Sequence, residues 1–398
     1  MNILVIGNGF DLAHGLPTRY IDFMNYLNVI HILHTFKFVR GTFTTDTSPT
    51  TDTSLESIVD KNYIDHIIDN NSNISQVLRE NILEKYHNEW AKDFPKELMN
   101  IFSKDTSKIN SWYKYFCHLI KKNKLQDNWI DFEAEISKVI KKIENNIPKD
   151  VIENTDKEER CKSKNQDATN SSPSICEFME ANNNCFDSKT QQNKFILHLE
   201  HDLSDFINAL DYYVTFIDEI NNLKCLSDIK NIKIDKIISF NYTDTYRRCY
   251  SKNMSDENIH FIHGKANRTL GDSASKLVLG TNDTLSDQEK DSNISCVKFK
   301  KYFQRIYKRT GNDYKRFLKE ADEERSGETI RSYFFGHSLA ATDGDVIRRV
   351  IEASDYVVIF YHDDMQHREA ITNLVTVLGR DKLIEYAEER IEFRKQRG

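Results

Sequence analysis

The chain has few residues that turn or break a backbone. Its 398 residues include 13 glycines and 5 prolines, which is less than half of the roughly 12% that these two residue types contribute on average. Such a chain has few places to turn. This scarcity argues against an all-β sandwich, a collagen-like repeat or proline-rich disorder, and it favours helix.

Cysteine pairs and long apolar runs are also missing. None of the seven cysteines forms a C-x-x-C pair, so the sequence favours reduced thiols over a disulfide framework and has no zinc-ribbon spacing. No apolar run reaches the ~18 residues that cross a bilayer. The segment Met1–Ile6 has no basic region and is typical of a buried strand, not of a signal peptide. We therefore expect a cytoplasmic protein with no membrane partner.

No charge of one sign dominates the chain. Lys and Arg number 55 and Asp and Glu 62, a formal net charge of −7. The overall charge therefore does not indicate a nucleic-acid partner, and only a local basic patch would provide one.

Short apolar runs are present at the start of the chain and in its last third. They predict strands at 3–6, 234–240, 259–262, 277–279, 333–335 and 356–360. Helical patterns lie between them at about 294–308, 312–324, 343–354 and 364–378, and a closing helix is expected from about 381. Short apolar strands alternating with helices predict an α/β fold whose parallel, Rossmann-like sheet is covered on both faces.

The predicted core is split by a large insertion. Residues 1–30 supply the first strand and its loop, and residues 231–398 supply the rest of the α/β core. Residues 31–230 have a helical pattern and form the predicted all-helical insertion. Within it, residues 150–193 are rich in Asn, Ser, Lys, Asp and Glu, which predicts a flexible or poorly packed linker.

Glycine or a polar residue follows each predicted strand. Because ligands of open α/β sheets bind outside the carboxyl ends of the strands, these ends predict one ligand site. Gly7-Asn8-Gly9 follows the first strand and is typical of a loop that approaches a diphosphate. The next glycine is Gly15, so the G-x-G-x-x-G fingerprint is not met, and an ordinary strand-to-helix turn is the alternative.

Asn241 and His263 are the best catalytic candidates at these strand ends. An Asn can orient a water or a ribose hydroxyl, and a His can accept a proton near neutral pH. Asp244 could bind ribose hydroxyls, or it could simply favour the first turn of the next helix.

Two further polar sets have simpler interpretations. The carboxylates Asp131, Glu133 and Glu135 fit a solvated helix start. A metal site built from histidines and aspartates is not predicted, because no pair has a recognised ligand spacing among His14, His337, His362, Asp363 and Asp364.

The motifs resemble a known family. Residues 3–18, Ile3 to Thr18, closely resemble the opening of the bacteriophage abortive infection AbiH family. Ser239–Thr243, Ile262–Gly264 and Phe335–Leu339, with Asp343 and Asp345, resemble its later motifs. The resemblance implies a role in defence against phage.

A more distant similarity concerns the chemistry. The order Gly-x-Gly, Gly-Leu-Pro, Asn-Tyr, His-Gly and Gly-x-Ser-Leu resembles the sirtuin-like domains of antiphage effectors that degrade NAD. It implies that NAD is bound as the substrate without a metal, with Asn241 and His263 catalytic. The nucleotide-binding residues it implies are Gly7, Asn8, Gly9, Phe10, Asp11, His14, Asp244, Gly336, His337 and Ser338.

Departures from the sirtuin pattern narrow the reaction. Thr18-Arg19-Tyr20 replaces the sirtuin Asp-Phe-Arg, and the zinc cysteines of protein deacetylases are absent. Both argue against deacetylation and favour either hydrolysis of free NAD at its nicotinamide–ribose bond or a site that has lost NAD chemistry.

Three functions therefore stand as hypotheses. The first is an abortive-infection effector that hydrolyses NAD, and the second is a non-catalytic nucleotide-binding sensor or scaffold. The third, a nuclease effector, would need a metal cluster or basic groove that the sequence does not reveal. The expected partner is a small-molecule nucleotide, and the sequence leaves open a phage-derived trigger or partner protein and a homo-oligomer.

Overall fold

The computed structural model describes residues 1–43, 74–90, 94–102, 108–122, 132–146, 173–181, 186–221, 223–266, 275–281, 294–323 and 329–397. In these ranges the chain forms one six-stranded sheet and many helices. No helix of these ranges is both long enough and apolar enough to cross a membrane.

All six strands of the sheet are parallel. In chain order they are β1 (Asn2–Ile6), β2 (Lys236–Ser239), β3 (Ile259–Phe261), β4 (Arg331–Phe335), β5 (Tyr356–Tyr361) and β6 (Ile391–Lys395). Their spatial order is β3-β2-β1-β4-β5-β6. This is the order of the doubly wound Rossmann fold, in which the direction of winding reverses between β1 and β4. The predicted α/β class with a parallel, Rossmann-like sheet is confirmed.

Both faces of the sheet are covered, which explains why its strands are continuous apolar runs. On one face Ile3, Val5 and Phe334 are buried together with residues of the helices Gly344–Ala353 and Asp364–Leu378. On the other face Leu4, Ile6 and Phe335 are buried with Phe10 and Tyr246. Alternate residues of β1 thus enter two separate cores.

One predicted strand was wrong, and one strand was missed. Residues 277–279 are not a strand: the Val278 amide donates to the His263 carbonyl oxygen, beyond the last paired residue of β3, so this segment does not extend the sheet. The closing helix from about 381 ends at Glu389, and β6 follows it. Ile391 and Phe393 alternate with charged residues, and this period of two is the pattern of a strand at the edge of a sheet.

The α-helices of the described ranges surround the sheet or form a separate helical body. They are Asn8–Ala13, Tyr20–Phe43, Gln76–Lys85, Lys96–Met99, Ser111–Lys121, Phe132–Glu144, Ile175–Glu180, Lys189–Asp218, Ser227–Lys230, Thr245–Cys249, Lys301–Lys308, Asp313–Glu323, Gly344–Ala353, Asp364–Leu378 and Arg380–Glu389. Short 3₁₀ segments occupy Asp256–Asn258, Ile294–Phe299 and Ala341–Asp343, and Tyr86–Trp90 is a π-helix.

The chain divides into two compact units. The sheet unit comprises Met1–Arg19, Asp211–Val278 and Gln304–Gly398, and the helical unit comprises Tyr20–Leu210 and Leu279–Phe303. The predicted domain limits at 30 and 230 stay a prediction. The helix Tyr20–Phe43 runs across the first of these limits.

An aromatic cluster forms part of the core of the helical unit. Phe116 stacks on Phe132 with ring centroids 4.2 Å apart, and Phe206 contacts both rings edgewise or tilted. Phe23 packs against the same group. These four rings come from four helices, and their burial holds the helices together.

The structure corrects part of the linker prediction for residues 150–193. Ile175–Glu180 forms a helix that begins with a capping box between Ser174 and Glu177. Phe178 and Phe186 are fully buried and contact each other. Two aromatic side chains suffice to anchor this stretch, although its composition is polar. Residues 150–172 and 182–185 lie outside the described residues.

Candidate functional site

The loop after β1 contacts the loop after β4, at the point where the winding of the sheet reverses. The Gly7 amide donates to the Phe335 carbonyl oxygen at 3.2 Å, and the Gly9 amide donates to the Gly336 carbonyl oxygen at 2.8 Å. Gly7-Asn8-Gly9 was expected to be a loop. Instead the helix Asn8–Ala13 begins directly after Gly7.

Glycine at these positions allows two backbones to touch. Gly336 has φ +66°, and a Cβ atom there would lie 2.1 Å from the Phe10 nitrogen. A Cβ on Gly7 would lie 2.7 Å from the His337 Cα, and one on Gly9 would lie 2.8 Å from the Gly336 Cα. Real atoms do not approach so closely. The glycines are therefore required by packing inside the protein, whatever ligand the loop binds.

Asn241 joins the end of β2 to the glycine loop. Its side-chain amide donates to the Gly7 carbonyl oxygen at 2.9 Å, and its own backbone amide donates to the Ser239 hydroxyl. Asn241 is buried. The two predicted site elements, the loop after β1 and the Asn after β2, are thus in direct contact.

His263, which lies just beyond the end of β3, is next to a carboxylate. The His263 Nε2 lies 3.2 Å from the Asp343 Oδ1, and only 5% and 11% of the two side chains are exposed. Asp343 ends a short 3₁₀ turn beyond β4. A carboxylate in this position orients the imidazole and stabilises its protonated form. The pair has the composition of a general base and its orienting group.

Phe240 connects His263 to the loop after β4. Its ring centroid lies 5.7 Å from that of His263 and 4.3 Å from that of His337. The His337 Nδ1 accepts a hydrogen bond from the Leu339 amide at 2.8 Å. The neighbouring Ser338 is exposed. The carboxyl ends of β1, β2 and β4 and the residues after β3 therefore meet in one region, as the sequence predicted.

Asp11 is the most deeply buried of the predicted site carboxylates. It is 1% exposed, and its Oδ2 accepts a hydrogen bond from the Thr243 hydroxyl at 2.6 Å. Burial raises the pKa of Asp11 to about 6, although the side chains of Thr243, Thr245 and Asn241 act in the opposite direction. Asp11 therefore changes charge in the neutral range of pH.

A second carboxylate, which is partly buried, lies nearby. Asp218 accepts hydrogen bonds from the Asp244 amide and from Arg248, whose Nη1 is 3.1 Å from the Asp218 Oδ1. Burial raises the pKa of Asp218 to about 7, the Arg248 charge lowers it, and the Asp11 charge raises it further. The two carboxylates therefore influence each other's protonation.

His14 and Asp244 are engaged inside the protein. The His14 Nδ1 is 2.6 Å from the Phe10 carbonyl oxygen and its Nε2 is 2.7 Å from the Tyr250 hydroxyl, and burial lowers its pKa. The Asp244 Oδ2 lies 2.7 Å from the Lys265 Nζ and 3.3 Å from the Arg247 Nη1. Nucleotide binding by either residue stays a prediction, and each has a structural role of its own.

The other polar sets of the sequence lie elsewhere or form pairs. His362 and Asp363 contact each other at 2.7 Å and are largely exposed. Glu133 forms an ion pair with Lys301 in the helical unit, 2.7 Å apart, whereas Asp131 lies outside the described residues. In the ranges that the structure covers, no three His, Cys, Asp or Glu side chains form a group that could hold a metal ion.

A cleft of about 410 Å³ lies in the helical unit, among Tyr115, His118, Leu119, Glu135, Lys138, Cys176, Met179 and Glu180. It contains none of the predicted catalytic or nucleotide-binding residues. Its two carboxylates are paired with lysines: Glu135 contacts Lys138, and Glu180 contacts Lys122. The strand ends, which carry the predicted residues, remain the better candidate site.

Two residues of the site were missed as functional groups. Asp343 was noticed only as part of a motif with Asp345, two residues later. That spacing gave no hint that Asp343 faces His263. Asp218 lies at the end of a 30-residue helix whose pattern predicted only packing. The only signal in the sequence for Asp218 is its place at the end of a long helix that precedes a predicted strand.

The comparisons with known proteins give one family. The family model described as "Bacteriophage abortive infection AbiH" matches residues 3–362. No curated protein and no solved structure gives a significant match.

Proposed function

The chain belongs to the bacteriophage abortive infection AbiH family, and from its site we propose that it acts in abortive infection by binding NAD and hydrolysing the nicotinamide–ribose bond. Abortive infection follows from the family. The proposal concerns the chemistry, and the sirtuin-like similarity of the motifs suggested it.

The observation that carries the proposal is the His263–Asp343 pair. Its Nε2 to Oδ1 distance is 3.2 Å, and Phe240 links it to the loop after β4. Asn241 touches the glycine loop of the same sheet edge. A buried base, its orienting carboxylate and a loop at the reversal point of a Rossmann-like sheet are the parts that a nucleotide hydrolase needs.

The proposed reaction needs one base and good positioning. The oxygen of a water bonds to the ribose C1′ while the bond from C1′ to the nicotinamide nitrogen breaks. Nicotinamide leaves as a neutral molecule, so it needs no acid. The proton of the water passes to His263, whose Asp343 partner stabilises the resulting imidazolium. The products are nicotinamide, ADP-ribose and one proton.

Asn241 and the glycine loop have the positioning roles in this proposal. The Asn241 amide already holds the Gly7 carbonyl oxygen, so it fixes the loop on which the substrate would rest. Correct placement of the water and of C1′ contributes as much to the rate of such a reaction as the base does.

The test measures NAD cleavage by the full chain. Purified protein is incubated with NAD alone and with lysate of phage-infected cells, and nicotinamide and ADP-ribose are separated by chromatography. We expect His263→Gln to slow cleavage by about 10²- to 10⁴-fold, the usual contribution of a general base, and Asp343→Asn to slow it less.

The matched control is His362→Gln. His362 also follows a strand and also contacts an aspartate, but 61% of its side chain is exposed. It should leave the rate unchanged. The proposal is wrong if neither condition releases nicotinamide while His263→Gln protein still protects cells against phage.

A second candidate is a nucleotide-binding sensor without catalysis. It keeps the strand-end region as the nucleotide site but assigns structural roles to two of its features. Packing against Gly336 and His337 accounts for Gly7 and Gly9, and the Asp244 carboxylate is paired with Lys265 and Arg247. In this case NAD binds and is recovered intact.

A further inference from the structure

Within the ranges that the structure describes, the outer side of the edge strand β6 pairs with no other strand. The Val357 amide donates to the Arg390 carbonyl oxygen, and the Gln396 amide donates to the Tyr361 carbonyl oxygen, both at 2.8 Å. Backbone groups point alternately to the two sides of a strand. Even-numbered residues of β6 therefore face β5, and the N–H and C=O groups of Ile391, Phe393 and Lys395 face away from the sheet.

The two edges of the sheet differ. β3, at the opposite edge, has three residues, and the start of the helix Asp313–Glu323 and the residues before it contact this strand. The His260 Nε2 lies 3.0 Å from the Thr310 carbonyl oxygen, and the Tyr314 amide donates to the His260 Nδ1. β6 has five residues, and within the described ranges its only strand partner is β5. A strand edge of this length is a template for another strand.

The charges along β6 are self-complementary. Glu392 and Arg394 project on the same face and contact each other at 2.8 Å. If a second β6 runs antiparallel with Phe393 opposite Phe393 of the partner subunit, then Glu392 lies opposite Arg394 of the partner subunit. The two-fold axis repeats the pair, so four charges alternate across the junction.

The helices that connect β5 to β6 also expose apolar side chains. Met365, Ile371 and Val375 on Asp364–Leu378, and Ile384 on Arg380–Glu389, are between 39% and 66% exposed. These four are among the ten exposed large apolar side chains in the described ranges. Exposed apolar side chains on the two helices that precede β6 favour a surface that another protein covers.

We propose that the β6 edge binds the β6 edge of a second copy of this chain, forming a two-fold dimer with one continuous sheet. Antiparallel pairing of the three outward-facing residues of each strand gives about six hydrogen bonds, and the Glu392–Arg394 ladder sets the register. The proposal does not depend on the chemistry at the carboxyl ends of the strands, where the candidate site lies.

The test uses paired charge reversals and measures mass. Light scattering after size exclusion determines the mass of the full chain over a range of concentrations, with the wild type expected as a dimer. Arg394→Glu and Glu392→Arg each place like charges across the junction, and each variant is expected as a monomer. An equimolar mixture of the two restores every pair of opposite charges, and it is expected to contain a heterodimer.

The mixture separates an interface from a contact within one chain. A Glu392–Arg394 pair that acts only inside its own chain is not repaired by mixing two different variants. Thermal unfolding of each variant shows that it is folded. As a control, Lys382→Glu reverses an exposed charge of a pair away from β6 and should leave the dimer intact. The proposal is overturned if the wild type is a monomer at tens of micromolar, or if folded single variants stay dimeric.

Discussion

Two glycines with positive φ differ in what surrounds them. Gly336 has φ +66° and a Cβ there meets backbone at 2.1 Å, whereas Gly15 has φ +87° and a Cβ there meets nothing within 4 Å. The left-handed conformation alone costs a residue other than glycine about 1–2 kcal/mol. Of these two positions, only Gly336 adds a second cost to the substitution, because a Cβ there must displace the backbone of Gly9 and Phe10.

We expect Gly336→Ala to lower the free energy of unfolding by about 3 kcal/mol or more, because conformational strain and overpacking add. Gly15→Ala should lower it by about 1 kcal/mol. Urea denaturation followed by circular dichroism measures both. Equal losses in the two variants would contradict the backbone contact between the loops.

Asp11 makes stability depend on pH. Burial raises its pKa from 3.8 to about 6, so between these values the folded state keeps a proton that the unfolded state has released. The stability associated with this group is therefore greatest below pH 4, and it falls as pH rises through 6. The difference amounts to about 3 kcal/mol.

Asp11→Asn should flatten the pH dependence of unfolding between pH 4 and pH 7. The asparagine cannot ionise, so this part of the loss of stability disappears. Midpoints of urea unfolding at a series of pH values test it, with Asp381→Asn, whose side chain is 85% exposed, as the control. A slope equal to that of the wild type would show that Asp11 is not protonated in the folded chain.

The sequence predicted the position of a residue best where a strand end fixed that position, although the functional roles of these residues stay a prediction. Asn241 and His263 were predicted from strand ends, and the structure places them in the same region as the glycine loop. Asp343 and Asp218 could not be predicted as neighbours of the site residues. Asp343 ends a short turn and Asp218 ends a helix, and sequence spacing does not show which strand ends such residues approach in the folded chain.

At the scale of elements, a buried ion pair joins two parts of the helical unit. Lys301 is 1% exposed, and its Nζ lies 2.7 Å from the Glu133 Oε2 on the helix Phe132–Glu144. Sequence analysis assigned Glu133 to a solvated helix start. A buried ammonium that loses its carboxylate is strongly destabilising, whereas an exposed pair contributes little.

We expect Glu133→Gln to cost about 3–5 kcal/mol. The matched control is Glu200→Gln in the same unit, since Glu200 also lies 2.7 Å from a lysine, Lys298, but both side chains are at least 35% exposed. That change should cost less than about 1 kcal/mol. Thermal or urea unfolding measures both, and similar costs would mean that the Glu133–Lys301 pair is solvated.

Buried helices and strands were easier to predict from the sequence than exposed or very short segments. The central strands were recognised because burial on both faces makes them continuous apolar runs. β6 was missed because an edge strand carries charged residues on alternate positions, which resemble a polar helix. Residues 277–279 were mistaken for a strand because an apolar triplet can be buried without pairing in a sheet.

At the scale of the molecule, nucleotide binding and catalysis can be separated. His263→Gln removes the proposed base but leaves the Asn241 contact with the loop, so it should bind NAD without cleaving it. At a concentration 100 times Kd, a ligand adds about 2.7 kcal/mol of stability, which is roughly 5–10 °C in Tm for a unit of this size.

The measurement is thermal unfolding of His263→Gln with NAD, with ATP and with inorganic phosphate. A shift with NAD and cleavage by the wild type support the hydrolase. The same shift, with NAD recovered intact from the wild type, supports the sensor. The absence of any shift at millimolar NAD would contradict both functions.

The organisation of the whole chain was only partly predictable. An α/β core interrupted by helices followed from the distribution of apolar runs. The chain, however, passes from the sheet unit into the helical unit and back twice. It enters the helical unit at Tyr20 and leaves it at Asp211, and it enters again at Leu279 and leaves at Gln304. The second passage begins in a stretch without regular secondary structure and ends inside the helix Lys301–Lys308, so the limits of the predicted elements do not mark it.

The position of β1 has a consequence for synthesis of the chain. β1 lies at the centre of the sheet between β2 and β4, yet it is synthesised before both of them. Phe335, at the end of β4, is the last residue of these three strands to be synthesised. At 5–20 residues per second this interval lasts roughly 15–65 s. For most of this interval the nascent chain carries the apolar run Ile3–Ile6 without either strand partner, and until its end it lacks β4. A cell that makes this protein must therefore protect this apolar run from aggregation until β4 has been synthesised.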